Sequence, residues 1–126
     1  MSKVLLVEDD TTMISLLETL LEIDGYEVAA FRGREDILDM VRREKPDLVL
    51  LDVNLKNFGI QDRDGFDVLR AIRADDDLKS IGVVMSSGMN YQRECDEAGA
   101  DGFVMKPYMP DDLLDLIRET IANKNK

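Results

Sequence analysis

The chain has 126 residues, 27 of them acidic and 16 basic, and a net charge of −11; that length makes one domain able to bury roughly two thirds of its unfolded surface, and that charge argues against direct contact with DNA, RNA or an anionic membrane, whose phosphates it would repel. There is no histidine and only one cysteine, Cys95, which excludes His-based general bases, His-ligated zinc, a phosphohistidine relay within the chain and any intrachain disulfide. Cys95 falls in the polar stretch Arg93-Glu94-Cys95-Asp96-Glu97 and no apolar stretch reaches signal-peptide or membrane-spanning length, so a reducing, cytoplasmic setting without membrane contact is expected.

Apolar runs of strand length alternate with segments of helical period, which is the α/β pattern. Residues 3–8 read as the first strand, ending on Glu8-Asp9-Asp10. Thr11 or Thr12 then caps a helix with the apolar face Ile14, Leu17, Leu20 and Leu21, which ends at Gly25. Tyr26 to Phe31 makes a shorter second strand, and a helix through Ile37, Leu38 and Val41 stops before Pro46. Residues 47–52 are the most hydrophobic strand and end on Asp52.

A polar segment, 53–63, leads to a helix carrying Phe66, Leu69 and Ile72. Ile81 to Met85 is the fourth strand, and a short helix around 90–98 ends at Gly99. Residues 102–105 form the fifth strand, followed by Lys106-Pro107 and a last helix through Leu113, Leu114, Ile117 and Ile121, with Asp111 and Asp112 in its first turn. The domain is expected over 1–122, with residues 123–126 as a frayed tail. Strands apolar on both faces imply a parallel sheet covered on both sides, and right-handed crossovers favour the doubly wound, flavodoxin-like strand order 2-1-3-4-5 with five helices.

In that order strands 1 and 3 are neighbours at the switch point, so Asp9, Asp10 and Asp52 gather at one sheet edge. Carboxylates about 5 Å apart repel by roughly 3 kcal/mol per pair at an effective dielectric near 20, a cost that calls for a counter-cation. All-oxygen ligands select a hard ion, Mg2+ before Ca2+, with Mn2+ able to substitute. One carboxylate can then attack a phosphoryl group, while Lys106 supplies a point charge and Ser87 a hydroxyl to its oxygens. Gly88 lets backbone approach. Taken singly, Asp9 or Asp10 reads first as a helix cap, Lys106-Pro107 as ordinary loop sequence and Ser86-Ser87-Gly88 as an ordinary turn; their conjunction at one edge marks a site.

With these residues in place, the sequence resembles the receiver domain of two-component response regulators, close to the chemotaxis regulators. The resemblance rests on Val4-Leu5-Leu6-Val7-Glu8-Asp9-Asp10, Pro46-Asp47-Leu48-Val49-Leu50-Leu51-Asp52, Asp64-Gly65-Phe66-Asp67-Val68-Leu69, Val83-Val84-Met85-Ser86-Ser87-Gly88 and Ala98-Gly99-Ala100-Asp101-Gly102-Phe103-Val104-Met105-Lys106-Pro107. It implies that Asp52 accepts a phosphoryl group from the phosphohistidine of a sensor histidine kinase or a histidine phosphotransfer protein. It also implies that Asp9, Asp10, Asp52 and the backbone carbonyl of Asn54 hold Mg2+, and that the peptide bond to Pro107 is cis. Ser87 and Phe103 would be the switch pair, Phe103 serving otherwise as a plain core aromatic. The domain would catalyse only its own phosphorylation and slow hydrolysis, as a signalling switch rather than an enzyme.

Two intervals depart from the family pattern. Asp52 to Gly65 is 13 positions, a lengthened loop in which Leu55-Lys56 replaces the usual Met-Pro. Ser87 to Lys106 is 19 positions, a few short of the usual interval, with the shortfall at the start of the fourth helix. Met89, Tyr91, Met105, Tyr108 and Met109 would lie near the face of helix 4, strand 5 and helix 5, where an output protein or a phosphorylation-dependent dimer contact is expected of an otherwise monomeric domain. Two other classes remain open: a receiver-like interaction module that is never phosphorylated, and a haloacid-dehalogenase-type phosphatase, whose second acid is replaced here by Asn54 in Asp52-Val53-Asn54.

Overall fold

A computed structural model describes residues 2–125. The five apolar runs form the parallel strands β1 (Lys3–Val7), β2 (Glu27–Ala30), β3 (Leu48–Asp52), β4 (Gly82–Ser87) and β5 (Gly102–Met105), in the order β2-β1-β3-β4-β5. Between and after them run α1 (Thr11–Ile23), α2 (Ile37–Glu44), α3 (Gly65–Ala74), α4 (Gln92–Ala98) and α5 (Pro110–Lys124). The flavodoxin-like architecture expected of the sequence is therefore the one adopted.

Alternation along the central strands sorts their side chains into two cores. Leu5, Val7, Val49, Leu51, Val83 and Met85 face α2, α3 and α4, meeting Val41, Leu69, Ile72 and Cys95. Val4, Leu6, Leu48, Leu50 and Val84 face α1 and α5, meeting Leu17, Leu21, Leu113 and Ile117. Every residue of β3 and β4 is buried, which is why both read as continuous apolar runs rather than alternating ones.

Some element ends differ from expectation, each for a local reason. β4 extends to Ser87 because Ser86 pairs with Asp52 on one side and Ser87 with Met105 on the other. The cap of α1 is Asp10 rather than a threonine, its carboxylate accepting from the N–H groups of Thr12 and Met13 at 3.0 and 3.1 Å. α5 remains helical through Lys124, whose ammonium lies 3.2 Å from Asp101, so the start of the expected frayed tail is ordered; Lys126 lies outside the described residues. Cys95, set among charged neighbours in sequence, is the one fully buried side chain of α4.

Gly65 fixes how closely α3 approaches the end of β3. Its N–H donates to the Val53 carbonyl at 2.8 Å, and a Cβ there would lie 2.4 Å from the Asp52 carbonyl oxygen. No larger residue permits this approach, and α3 consequently starts against the backbone of Asp52.

Candidate functional site

The site lies at the carboxyl edge of the sheet, where β1 and β3 are adjacent and their connections depart in opposite directions. Asp52 ends β3 and is only 4% exposed. Its Oδ1 accepts from the Asn54 N–H at 3.1 Å and its Oδ2 from Lys106 Nζ at 2.9 Å, so the buried carboxylate is held by a backbone dipole and an ammonium. Lys106 directly follows β5, its N–H donates to the Ser87 carbonyl at 2.8 Å, and its bond to Pro107 is cis.

The carboxylates gathered around Lys106 are Glu8, Asp9 and Asp52, with one oxygen of each lying within 4.8 Å of the others. Sequence reasoning expected Asp10 in this trio. Asp10 instead spends its carboxylate on the cap of α1, and Glu8 occupies the position expected of it, 1% exposed. Glu8 Oε2 accepts from Lys106 Nζ at 2.9 Å and from the Asp9 N–H at 2.8 Å. Glu8 Oε1 accepts from the Tyr108 hydroxyl at 3.3 Å. The signal for this exchange is in the sequence: Asp10 stands two and three residues before the N–H groups that open the helix, the spacing of an N-cap.

Electrostatics separate the members of the cluster. Burial pushes the Glu8 carboxyl above its ordinary value, and the neighbouring Asp9 carboxylate, which favours a proton held on Glu8, adds to this against the opposing pull of Lys106. Asp9 is held below the usual carboxylate range by that carboxyl of Glu8 and by the Asn57 amide, which donates to its Oδ2. Burial alone would lower Lys106, but the carboxylates of Asp52 and Glu8 outweigh it and raise the ammonium. Three carboxylates facing one ammonium leave a local excess of negative charge with oxygen donors only, a set that fits a hard divalent cation.

A cavity of about 490 Å3 opens over Asp52 and is lined by Asp9, Asn54, Lys56, Ser87, Met89 and Lys106 among others. Ser87 Oγ accepts from the Met89 N–H at 3.1 Å, whereas Ser86 Oγ is buried without a hydrogen-bond partner. Ser87 lines the cavity over Asp52. Phe103 is half-buried on β5, paired with Met85 and packed against the α2–α3–α4 core. Asn54 lines the cavity and caps its own turn, its Oδ1 accepting from the Lys56 N–H at 2.9 Å.

Of the expected output face, Met89, Met105 and Met109 are exposed at 64%, 51% and 66%. Tyr91 instead packs edge-on against Phe66, ring centroids 5.6 Å apart. Three contributors went unread in the sequence: Glu8, Tyr108 as a donor to Glu8, and Asn57. Asn57 gives no pattern at all, because it reaches Asp9 from 48 positions away.

A buried aspartate at a strand end, an acidic cluster beside it and a lysine preceding a cis-proline thus meet at one edge of the sheet. The family model for the response regulator receiver domain matches residues 4–118. The chain belongs to that family. It is 35% identical over 121 residues to the transcriptional regulatory protein YxdJ of Bacillus subtilis, covering 96% of this chain and 51% of that one. It is 31% identical over 126 residues to the DNA-binding response regulator MtrA of Mycobacterium leprae, covering 98% of this chain and 52% of that one. The chain thus spans about half the length of these relatives. Among solved structures, a CheY-like response regulator receiver domain protein from Methanospirillum hungatei superposes with a TM-score of 0.80 at 28% identity, over 99% of this chain and 97% of that one. Among the described residues no helix is long and apolar enough to cross a membrane.

Proposed function

We propose that this domain is a phosphorylation switch whose acceptor is Asp52. A carboxylate oxygen of Asp52 attacks the phosphorus of a phosphohistidine, the P–N bond breaks, and the imidazole leaves with the electron pair and takes up a proton. Glu8, Asp9, Asp52 and the Asn54 carbonyl would hold Mg2+, or Mn2+ in its place, which when bound supplies positive charge to the phosphoryl oxygens. Lys106, shared at 2.9 Å between Asp52 and Glu8, follows a phosphoryl oxygen once Asp52 carries the acyl phosphate. Ser87 Oγ turns from the Met89 N–H to donate to another. Phe103 then packs further inward, altering the face of α4, β5 and α5, where the exposed methionines offer an adaptable contact for an output protein or a second copy.

The observation that carries this reading is the burial of Asp52 under a cavity with Lys106 on one oxygen and two further carboxylates alongside. The donor would be a sensor histidine kinase or a phosphotransfer protein, met in the cytoplasm. MtrA carries DNA binding in its name and is about twice as long; with a net charge of −11, the stretch described here acts through protein contacts.

Incubation with Mg2+ and acetyl phosphate, read by intact mass, is expected to add one phosphoryl group, lost in Asp52→Asn and in EDTA. Asp10→Ala, which removes a helix cap, is expected to retain it. Absence of any adduct on the wild type, with acetyl phosphate or with a phosphohistidine donor, overturns the reading.

A further inference from the structure

The lengthened connection between β3 and α3 is docked at both ends, and it delivers one side chain to the acidic cluster. Residues Lys56–Phe58 form a 3-10 turn. The Phe58 ring stands edge-on to Phe31, centroids 5.1 Å apart, and Phe31 is itself only 2% exposed at the exit of β2. Further along, Arg63 pairs with Asp36, the cap of α2. Immediately before the first of these anchors, the exposed Asn57 donates its amide N–H to Asp9 Oδ2, while Asp9 Oδ1 faces Lys106 at 3.8 Å.

We propose that Asn57 is a positioning residue that competes with a divalent cation for Asp9, so that the docked loop sets the concentration at which the cation site fills. This rests on the cation site of the proposed function. An amide N–H and a cation both draw on the Asp9 carboxylate, and a cation that takes Oδ2 displaces the amide hydrogen bond from that oxygen, so that the amide must turn away as Asp9 becomes a ligand. A hydrogen bond to a charged carboxylate stabilises the form that makes it, and losing it on cation binding lowers the apparent affinity by about tenfold. Phe58 keeps the competitor in place, because the turn that carries Asn57 is seated on the Phe31 ring.

The test is titration calorimetry of Mg2+ into the metal-free chain, with the 15N resonance of the Asn57 side-chain amide followed in parallel. Asn57→Ala is expected to bind Mg2+ about tenfold more tightly than wild type, and Phe58→Ala to shift affinity in the same direction with a folded circular-dichroism spectrum. Gln61→Ala, exposed on the same loop, is expected to match wild type. The Asn57 amide resonance should move with the half-point of the heat. Unchanged or weaker binding by Asn57→Ala, with wild type binding normally, overturns the role of Asn57 alone. Failure of the wild type to bind Mg2+ overturns the cation site itself, and this proposal with it.

Discussion

The connections that follow β3 and β4 flank Asp52 on two sides and differ threefold in length, 12 residues between Asp52 and Gly65 against four between Ser87 and Gln92. The longer one, residues 53–64, buries Leu55 to 1% exposure, seats Phe58 on Phe31 and pairs Arg63 with Asp36. The shorter one, residues 88–91, leaves Met89 64% exposed and makes local bonds, Met89 N–H to Ser87 Oγ and Gln92 N–H to Asn90 Oδ1. Loop length therefore does not decide which side of the site is firm. Buried apolar contact does, since each doubling of loop length costs only about 0.6 kcal/mol in closure entropy, less than one buried leucine contributes.

Leu55→Ala should break this contrast most sharply. Truncating a fully buried leucine costs about 2 to 3 kcal/mol, read as a lower urea midpoint, with faster amide exchange through residues 53–64. The β4 side is anchored instead by Cys95, whose thiol burial pushes up to about 11 from an ordinary 9.0. The folded chain keeps that proton while the unfolded chain gives it up, so stability is lost as pH climbs from about 9 towards 11, by up to about 2 kcal/mol. Below that window the thiol contributes no pH dependence. Denaturation curves of wild type and Cys95→Ala at several alkaline pH values are expected to converge as pH rises. The smallest effect falls on the loop tip: Met89→Ala is expected to change stability by less than about 0.5 kcal/mol, and a loss as large as that of Leu55→Ala would show the shorter loop to be anchored after all.

What could be read in advance follows the same physical division. The strands were legible because β3 and β4 are buried on both faces, so their apolar runs carry no competing pattern. The acidic edge was legible as a place, since strand ends and topology determine it, but not as a set of partners. Glu8 and Asp10 are both carboxylates beyond β1, and only the capping geometry of α1 decides which of them faces Lys106. Cys95 was hidden because α4 has only seven residues, too few turns for one inward side chain to repeat. Asn57 depends on where a 3-10 turn comes to rest on Phe31, a contact between residues 27 positions apart in sequence that no local pattern records.

The Tyr108 hydroxyl on Glu8 gives the protein an optical handle. The chain has no tryptophan, three tyrosines and four phenylalanines, so beyond the short-wavelength phenylalanine band its near-ultraviolet absorption is that of the tyrosines. Of these, Tyr108 has its phenol tied to the carboxylate that shares Lys106 with Asp52. Any event that redistributes charge among those groups perturbs that chromophore, so the difference spectrum of unlabelled protein would serve as a clock for the proposed filling of the cation site and the proposed arrival and departure of phosphate.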